Sequence, residues 1–268
     1  MDNRNKSEKI FEQYLDSNGF QDKWTYEPSM PGKSRKPDYL LNYNDKRCFF
    51  EVKELRKKPN EPELPACIDP YASLRTEIDE VRKKFKEYKD YCCSLVVYNE
   101  SDIPSKLYPI NVFGAMLGDL GIKSDWNPNA GEGVEGSERS VFLKGGKMID
   151  YKRRQPQNTT LSAIIVLEEF RDNIEIEKAT NEEVKKKGRE LTVLEDIDIA
   201  WEYHSTEVIR VRVFDNPFAR IVFPEELFNG PFDERWRIQD DKFERAFVGN
   251  KLKELEALRE SREDNYCA

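Results

Sequence analysis

Between Ser7 and Tyr98 the hydrophobic period of the chain changes three times, and a chain that does this must pack helices against a sheet. Ile10, Phe11, Tyr14 and Leu15 recur at helical spacing, with Ser7 placed to cap the start and Gly19 to stop it. The period then shortens. Trp24 to Tyr26 reads as a short strand, and Pro37 to Tyr43 and Arg47 to Leu55 read as the two arms of a β-hairpin around a polar turn of Asn42, Asn44, Asp45 and Lys46. After a proline-rich loop from Lys57 to Pro70, Leu74, Ile78, Val81, Phe85 and Tyr88 restore the helical period over Tyr71 to Tyr91. Ser94 to Tyr98 is a compact valine-rich run, as expected for a strand buried on both faces. The order helix, strand, hairpin, helix, strand predicts an α/β fold.

Beyond this segment the signals are sparser. Val112 to Leu120 reads as a helix, and Ser124 to Thr160, rich in Gly, Asn and charge, as a long excursion. Ser162 to Leu167 and Val208 to Phe214 read as strands that extend the same sheet, with a charged helix over Asn181 to Leu194 between them. Asn216, Pro217, Phe218 and Pro224 mark a turn region that packs aromatic residues, and Asp240 to Arg262 reads as a terminal charged helix. The expected organisation is one domain over 1–268. Residues 1–100 form its core, and residues 101–268 supply an insertion, a sheet extension and a C-terminal helical elaboration.

Composition narrows the setting. No apolar stretch approaches the roughly 20 residues that cross a bilayer, and the N-terminus is polar, so a cytoplasmic protein without membrane contact is expected. The five cysteines, Cys48, Cys67, Cys92, Cys93 and Cys267, form no CxxC pair and stand apart from His204, which points to reduced thiols, most of them in the core. A net charge of −8 disfavours nucleic-acid binding on average, yet basic residues gather at Lys33, Arg35 and Lys36, at Arg56, Lys57 and Lys58, at Arg82, Lys83 and Lys84, and at Lys152, Arg153 and Arg154. His204 lacks a Ser or Cys in a nucleophile motif, and Gly131, Gly133 and Gly136 lack the strand-turn-helix setting of a phosphate loop.

The chemistry concentrates on the hairpin. Asp38 stands near the start of its first arm, and Glu51 and Lys53, two apart on the second, share one face while the apolar Val52 faces the other way. Pro37-Asp38, twelve residues, then Glu51-Val52-Lys53 resembles the PD-(D/E)xK signature of restriction-endonuclease-like nucleases. The resemblance extends over Ser7 to Tyr98, whose element order is that of the family's core. It has a Holliday-junction-resolvase-like detail, since Glu8 precedes Gly19-Phe20 by eleven residues, with Glu12 one turn later as the substitute.

What the resemblance implies is a restriction-endonuclease-like core, a mixed sheet flanked by helices, that hydrolyses phosphodiester bonds with Mg²⁺ or Mn²⁺. Asp38, Glu51 and the carbonyl of Val52 would hold the ion, Glu8 would bind a metal-bound water or a second ion, and Lys53 would orient the attacking water or offset developing charge. The DNA backbone would fall to Lys33, Arg35, Lys36, Arg56, Lys57 and Lys58, with Arg75 and Lys83 on the second helix as weaker candidates. DNA is the expected substrate and RNA the secondary one; a homodimer suits two-strand scission. The alternative is a catalytically inactive nuclease-fold module that binds nucleic acid or a protein partner.

Overall fold

The computed structural model of the protein describes residues 4–55, 69, 71–99, 107–125, 137–150, 152, 155–239 and 242–267. The first helix, α1 (Lys6–Ser17), is capped at Asn5, two residues earlier than its Ser7 suggests. Asn5 accepts the Glu8 amide at 2.9 Å while the Glu8 carboxylate accepts the Asn5 amide at 2.7 Å, and Ser7 donates its hydroxyl to the cap. Its apolar stripe of Ile10, Phe11, Tyr14 and Leu15 is buried against the sheet.

Three antiparallel strands follow, β1 (Trp24–Tyr26), β2 (Tyr39–Tyr43) and β3 (Lys46–Leu55). Asn44 and Asp45, both at positive φ, make the tight turn between β2 and β3, a conformation that Asn and Asp tolerate. The chain returns through α2 (Ala72–Phe85), continued by a 3₁₀ turn at 86–88, into β4 (Cys92–Asn99), which pairs parallel to β3. Burial of β4 on both faces matches its unbroken apolar run.

The sheet has eight strands in the order β1-β2-β3-β4-β9-β10-β11-β12. Between β4 and β9 lie α3 (Pro109–Leu117), the hairpin of β5 (Gly118–Asp125) and β6 (Ser137–Gly145), and the short pair β7 (Ile149–Asp150) and β8 (Gln155–Pro156). Then come β9 (Ala163–Asp172), α4 (Ile174–Lys187), α5 (Val193–Glu202), β10 (Thr206–Asp215), β11 (Glu234–Gln239), β12 (Lys242–Val248) and α6 (Asn250–Cys267). The result is an α/β fold with one large mixed sheet flanked by helices. One face packs on α1 and on Phe223, Leu227 and Phe228 of the crossover from β10 to β11; the other packs on α2 and α3.

The later elements depart from expectation in four places. The helix expected to run to Leu120 ends at Leu117, because Gly118 at φ 127° turns the chain into β5. That hairpin occupies part of the segment read as an irregular excursion. A helix placed at Asn181 to Leu194 is split: α4 starts at Ile174 and stops at Gly188 in the left-handed region, and Thr192 caps α5 afresh. The terminal charged helix begins only at Asn250, since Lys242–Val248 pairs with β11 and Phe243 stacks on Phe113 at 5.0 Å. Pairing and aromatic burial there outweigh the weak helical preference of a charged segment.

Candidate functional site

Register positions the hairpin side chains. Tyr39 pairs with Phe50, so Asp38, one residue before β2, stands opposite Glu51. Phe49 and Leu55 belong to the cluster packed on α2, so Glu51 and Lys53, which alternate with them on β3, open toward α2, whereas Val52 is buried on the α1 side. Asp38 is fixed there by its own strand: its Oδ2 accepts the Val52 amide at 2.8 Å.

A fourth group joins them. Lys84, near the C-terminal end of α2, donates its ammonium to Asp38 Oδ1 at 3.2 Å and to Glu51 Oε2 in a very short bond. Lys53 Nζ lies 3.1 Å from Glu51 Oε1. The site is a chain of alternating charge, from the Val52 amide through Asp38, Lys84 and Glu51 to Lys53. Glu51 is 3% exposed, and burial, reinforced by Asp38, pushes its carboxyl above the usual range even though both lysines pull it down. Burial also depresses the Lys53 ammonium, but Glu51 and Asp38 more than compensate and hold its pKa above the ordinary value.

Two carboxylates converging on one ammonium make a set of hard oxygen donors. That set fits Mg²⁺ or Mn²⁺, which bind through one or two carboxylates and keep several waters. Among the described residues no three Asp, Glu, His or Cys side chains converge as a metal cage, so any ion here would rest on the Asp38 and Glu51 pair, with the Lys84 ammonium marking where the two carboxylates meet.

The remaining expected residues are more dispersed. Glu8 caps α1 and feels Asp38 only through space; burial is the main cause of its raised carboxyl pKa. Glu12 is taken up by the Tyr39 hydroxyl at 2.8 Å and Arg4 at 2.6 Å. Lys33 bonds the carbonyl of Glu87, while Arg35 and Lys36 are exposed beside it. Arg56, Lys57 and Lys58 lie outside the described residues. Arg75 ties α2 to the α3–β5 junction through Asp119 at 2.7 Å and the Gly114 carbonyl at 3.1 Å. Lys83 turns away from the carboxylates and, with Arg82, Lys86, Asn158, Thr159 and Thr160, lines an open recess of about 420 Å³.

Lys84 is the member that sequence reasoning passed over, since it stood in a basic run and Lys83 drew the attention. Its signal was positional: Lys84 lies seven residues after Glu77 on the flank of the Leu74, Ile78, Val81 and Phe85 stripe, the flank that faces β3. Cys48, Cys92 and Cys93 are buried free thiols, and His204 is exposed. Asn216 and Asp215 serve packing: Asn216 bonds the Leu161 carbonyl at 2.7 Å and Asp215 holds Arg235 through two bonds. No family model, curated protein or solved structure matches the chain.

Proposed function

We propose that the protein is a divalent-metal-dependent nuclease that hydrolyses DNA phosphodiester bonds at a PD-(D/E)xK-type site of Asp38, Glu51 and Lys53 within a restriction-endonuclease-like core. The observation that carries the reading is the shared cation: Asp38 and Glu51, brought opposite each other by the hairpin register, both bond Lys84 while Lys53 holds the far oxygen of Glu51. The run α1-β1-β2-β3-α2-β4, with β3 and β4 parallel, supports it as well.

In this reading Asp38 and Glu51 hold the ion, which when bound supplies Lewis acidity toward a phosphoryl oxygen and lowers the pKa of water. Lys53 is placed to orient the attacking water and to offset charge that develops on the phosphate. Lys84 neutralises the buried carboxylate pair while no ion is bound and so preserves its geometry, and an ion taking its place between the carboxylates would have to displace its ammonium. The exposed Arg35 and Lys36, three and two residues before Asp38 in the chain, are candidates for backbone contacts.

One observation favours a second reading. Two lysines already balance the two carboxylates, as expected of a site that serves structure in a non-catalytic nuclease-fold module. Cleavage of supercoiled plasmid and branched DNA, in Mg²⁺, Mn²⁺ or EDTA, separates the two. Metal-dependent cutting that disappears in Lys53→Ala and Glu51→Gln supports the nuclease; a wild type that cuts nothing, and whose melting temperature Mn²⁺ leaves unchanged, supports the module.

A further inference from the structure

Helices usually bury their apolar stripe, and α1 and α2 do so. The exception is α5, none of whose residues is buried. Val193, Leu194, Ile197 and Trp201 fall on one face of this ten-residue helix and are 75%, 73%, 44% and 77% exposed. Ile199 and Glu195, on the opposite side, turn toward α4, where Lys187 bonds Glu195 at 2.5 Å. A capping box of Thr192 and Glu195, together with Arg189 on Glu195 at 2.8 Å, holds the helix in place. The stripe is therefore presented on an anchored helix.

Its borders carry one sign of charge. Asp198 borders one edge and Asp196 the other, both exposed, while Glu202 lies on the side of Glu195 along the recess toward α4, and α5 contains no Lys or Arg. No salt bridge within the described residues engages Asp196 or Asp198, whereas Glu195 on the inner side is paired twice. An apolar strip with an aromatic anchor and a one-signed rim is the composition of a recognition surface.

We propose that α5 docks, through Val193, Leu194, Ile197 and Trp201, onto an apolar surface of a partner protein rimmed by Lys and Arg. This inference is independent of the nuclease reading. Charge complementarity selects the occupant: a second copy would set Asp196 and Asp198 against carboxylates of the same rim, and an anionic lipid surface would repel them. A basic rim would pair with them while the groove takes up Trp201, in the helix-in-groove mode.

The test uses the full chain and two synthetic amphipathic helical peptides, one with a Leu face and Lys borders, the other with Glu in place of Lys. Calorimetry and tryptophan emission are expected to show binding of the Lys peptide alone, about tenfold or more weaker in Ile197→Ser and Trp201→Ser, as for interface anchors. Asp196→Lys with Asp198→Lys should shift the preference toward the Glu peptide. Because these side chains are exposed, melting temperatures of the variants should stay near wild type. The proposal is overturned if both peptides bind alike or if Ile197→Ser leaves Lys-peptide binding intact. A dimer by light scattering, or co-sedimentation with phosphatidylserine vesicles, that is lost in Ile197→Ser would equally overturn it, in favour of a second copy or a lipid surface.

Discussion

Lys84 shows how much one buried contact decides at the scale of a residue. Glu51 is nearly inaccessible, and its carboxylate is tolerated because two ammonium groups reach it. Removing one partner of a buried pair strands the other, so Lys84→Met should lower unfolding stability at pH 7 by about 3 kcal/mol. The loss should shrink as the pH falls, because the Glu51 carboxyl, already raised by burial, takes up a proton more readily once Lys84 is gone, and urea unfolding across a pH series checks this. Asp233 offers a second titration. It is buried on the α1 side, accepting the Tyr14 hydroxyl at 2.5 Å and the amides of Val211 and Gly230. Burial raises its pKa to about 6 from 3.8, overcoming these bonds. A carboxyl raised in the folded state contributes stability that is complete below about 3.8 and lost as the pH climbs through about 6. Unfolding measured from pH 4 to 7 should therefore show stability falling with pH, and Asp233→Asn should flatten that slope; an unchanged slope would assign it to the other raised carboxyls, Glu8, Glu51 and Glu77.

At the scale of elements, attachment of the β5–β6 hairpin depends on close backbone approach. Lys147 and Met148 donate their amides to the carbonyls of Ala115 and Met116 at 3.1 and 2.7 Å, which draws residue 146 against the end of α3. A Cβ on Gly146 would run into the backbone of Leu117 and Gly118. Gly146→Ala should cost at least about 2 kcal/mol in denaturant unfolding, in the range of overpacked cores. If Mn²⁺ binds the proposed site and raises the melting temperature, that rise should be unchanged, because Gly146 contacts neither Asp38 nor Glu51. Helix α2 has a double duty of another kind. Its stripe closes the core, one flank delivers Lys84 to the carboxylates, and the other turns Arg82 into the recess beside Thr159, joined there by Lys86 of the following 3₁₀ turn.

For the whole molecule the distribution of charge matters more than its sum. A net charge of −8 gives a repulsive field at long range, so nucleic-acid binding must rest on local cations. The recess of Arg82, Lys83 and Lys86 is a concave basic feature of the described surface, and no salt bridge engages those three side chains among the described residues. If DNA phosphates lie there, Lys83→Glu with Lys86→Glu should weaken binding and flatten the salt dependence by about 1 in log-log slope for each phosphate no longer neutralised. Fluorescence anisotropy at several salt concentrations measures it, and an unaltered slope would place the backbone elsewhere.

Local pattern was sufficient for α1, the hairpin, α2 and β4, since each carries a clear period over several residues and short-range turn chemistry at its ends. The shared face of Glu51 and Lys53 was legible for the same reason: strand alternation is a property of the backbone. It failed at Lys242–Val248, where only the neighbouring β11 and the ring of Phe113 distinguish a strand from a charged helix. It also failed at Lys84, because which flank of a helix meets a carboxylate pair depends on how that helix lies across the sheet. The sequence alone determined the α/β class and the Asp38, Glu51 and Lys53 constellation, through periodicity that each segment carries within itself. Tertiary structure alone decided the Lys84 bridge, the eight-strand order and the exposed face of α5, because each depends on packing between residues distant in the chain.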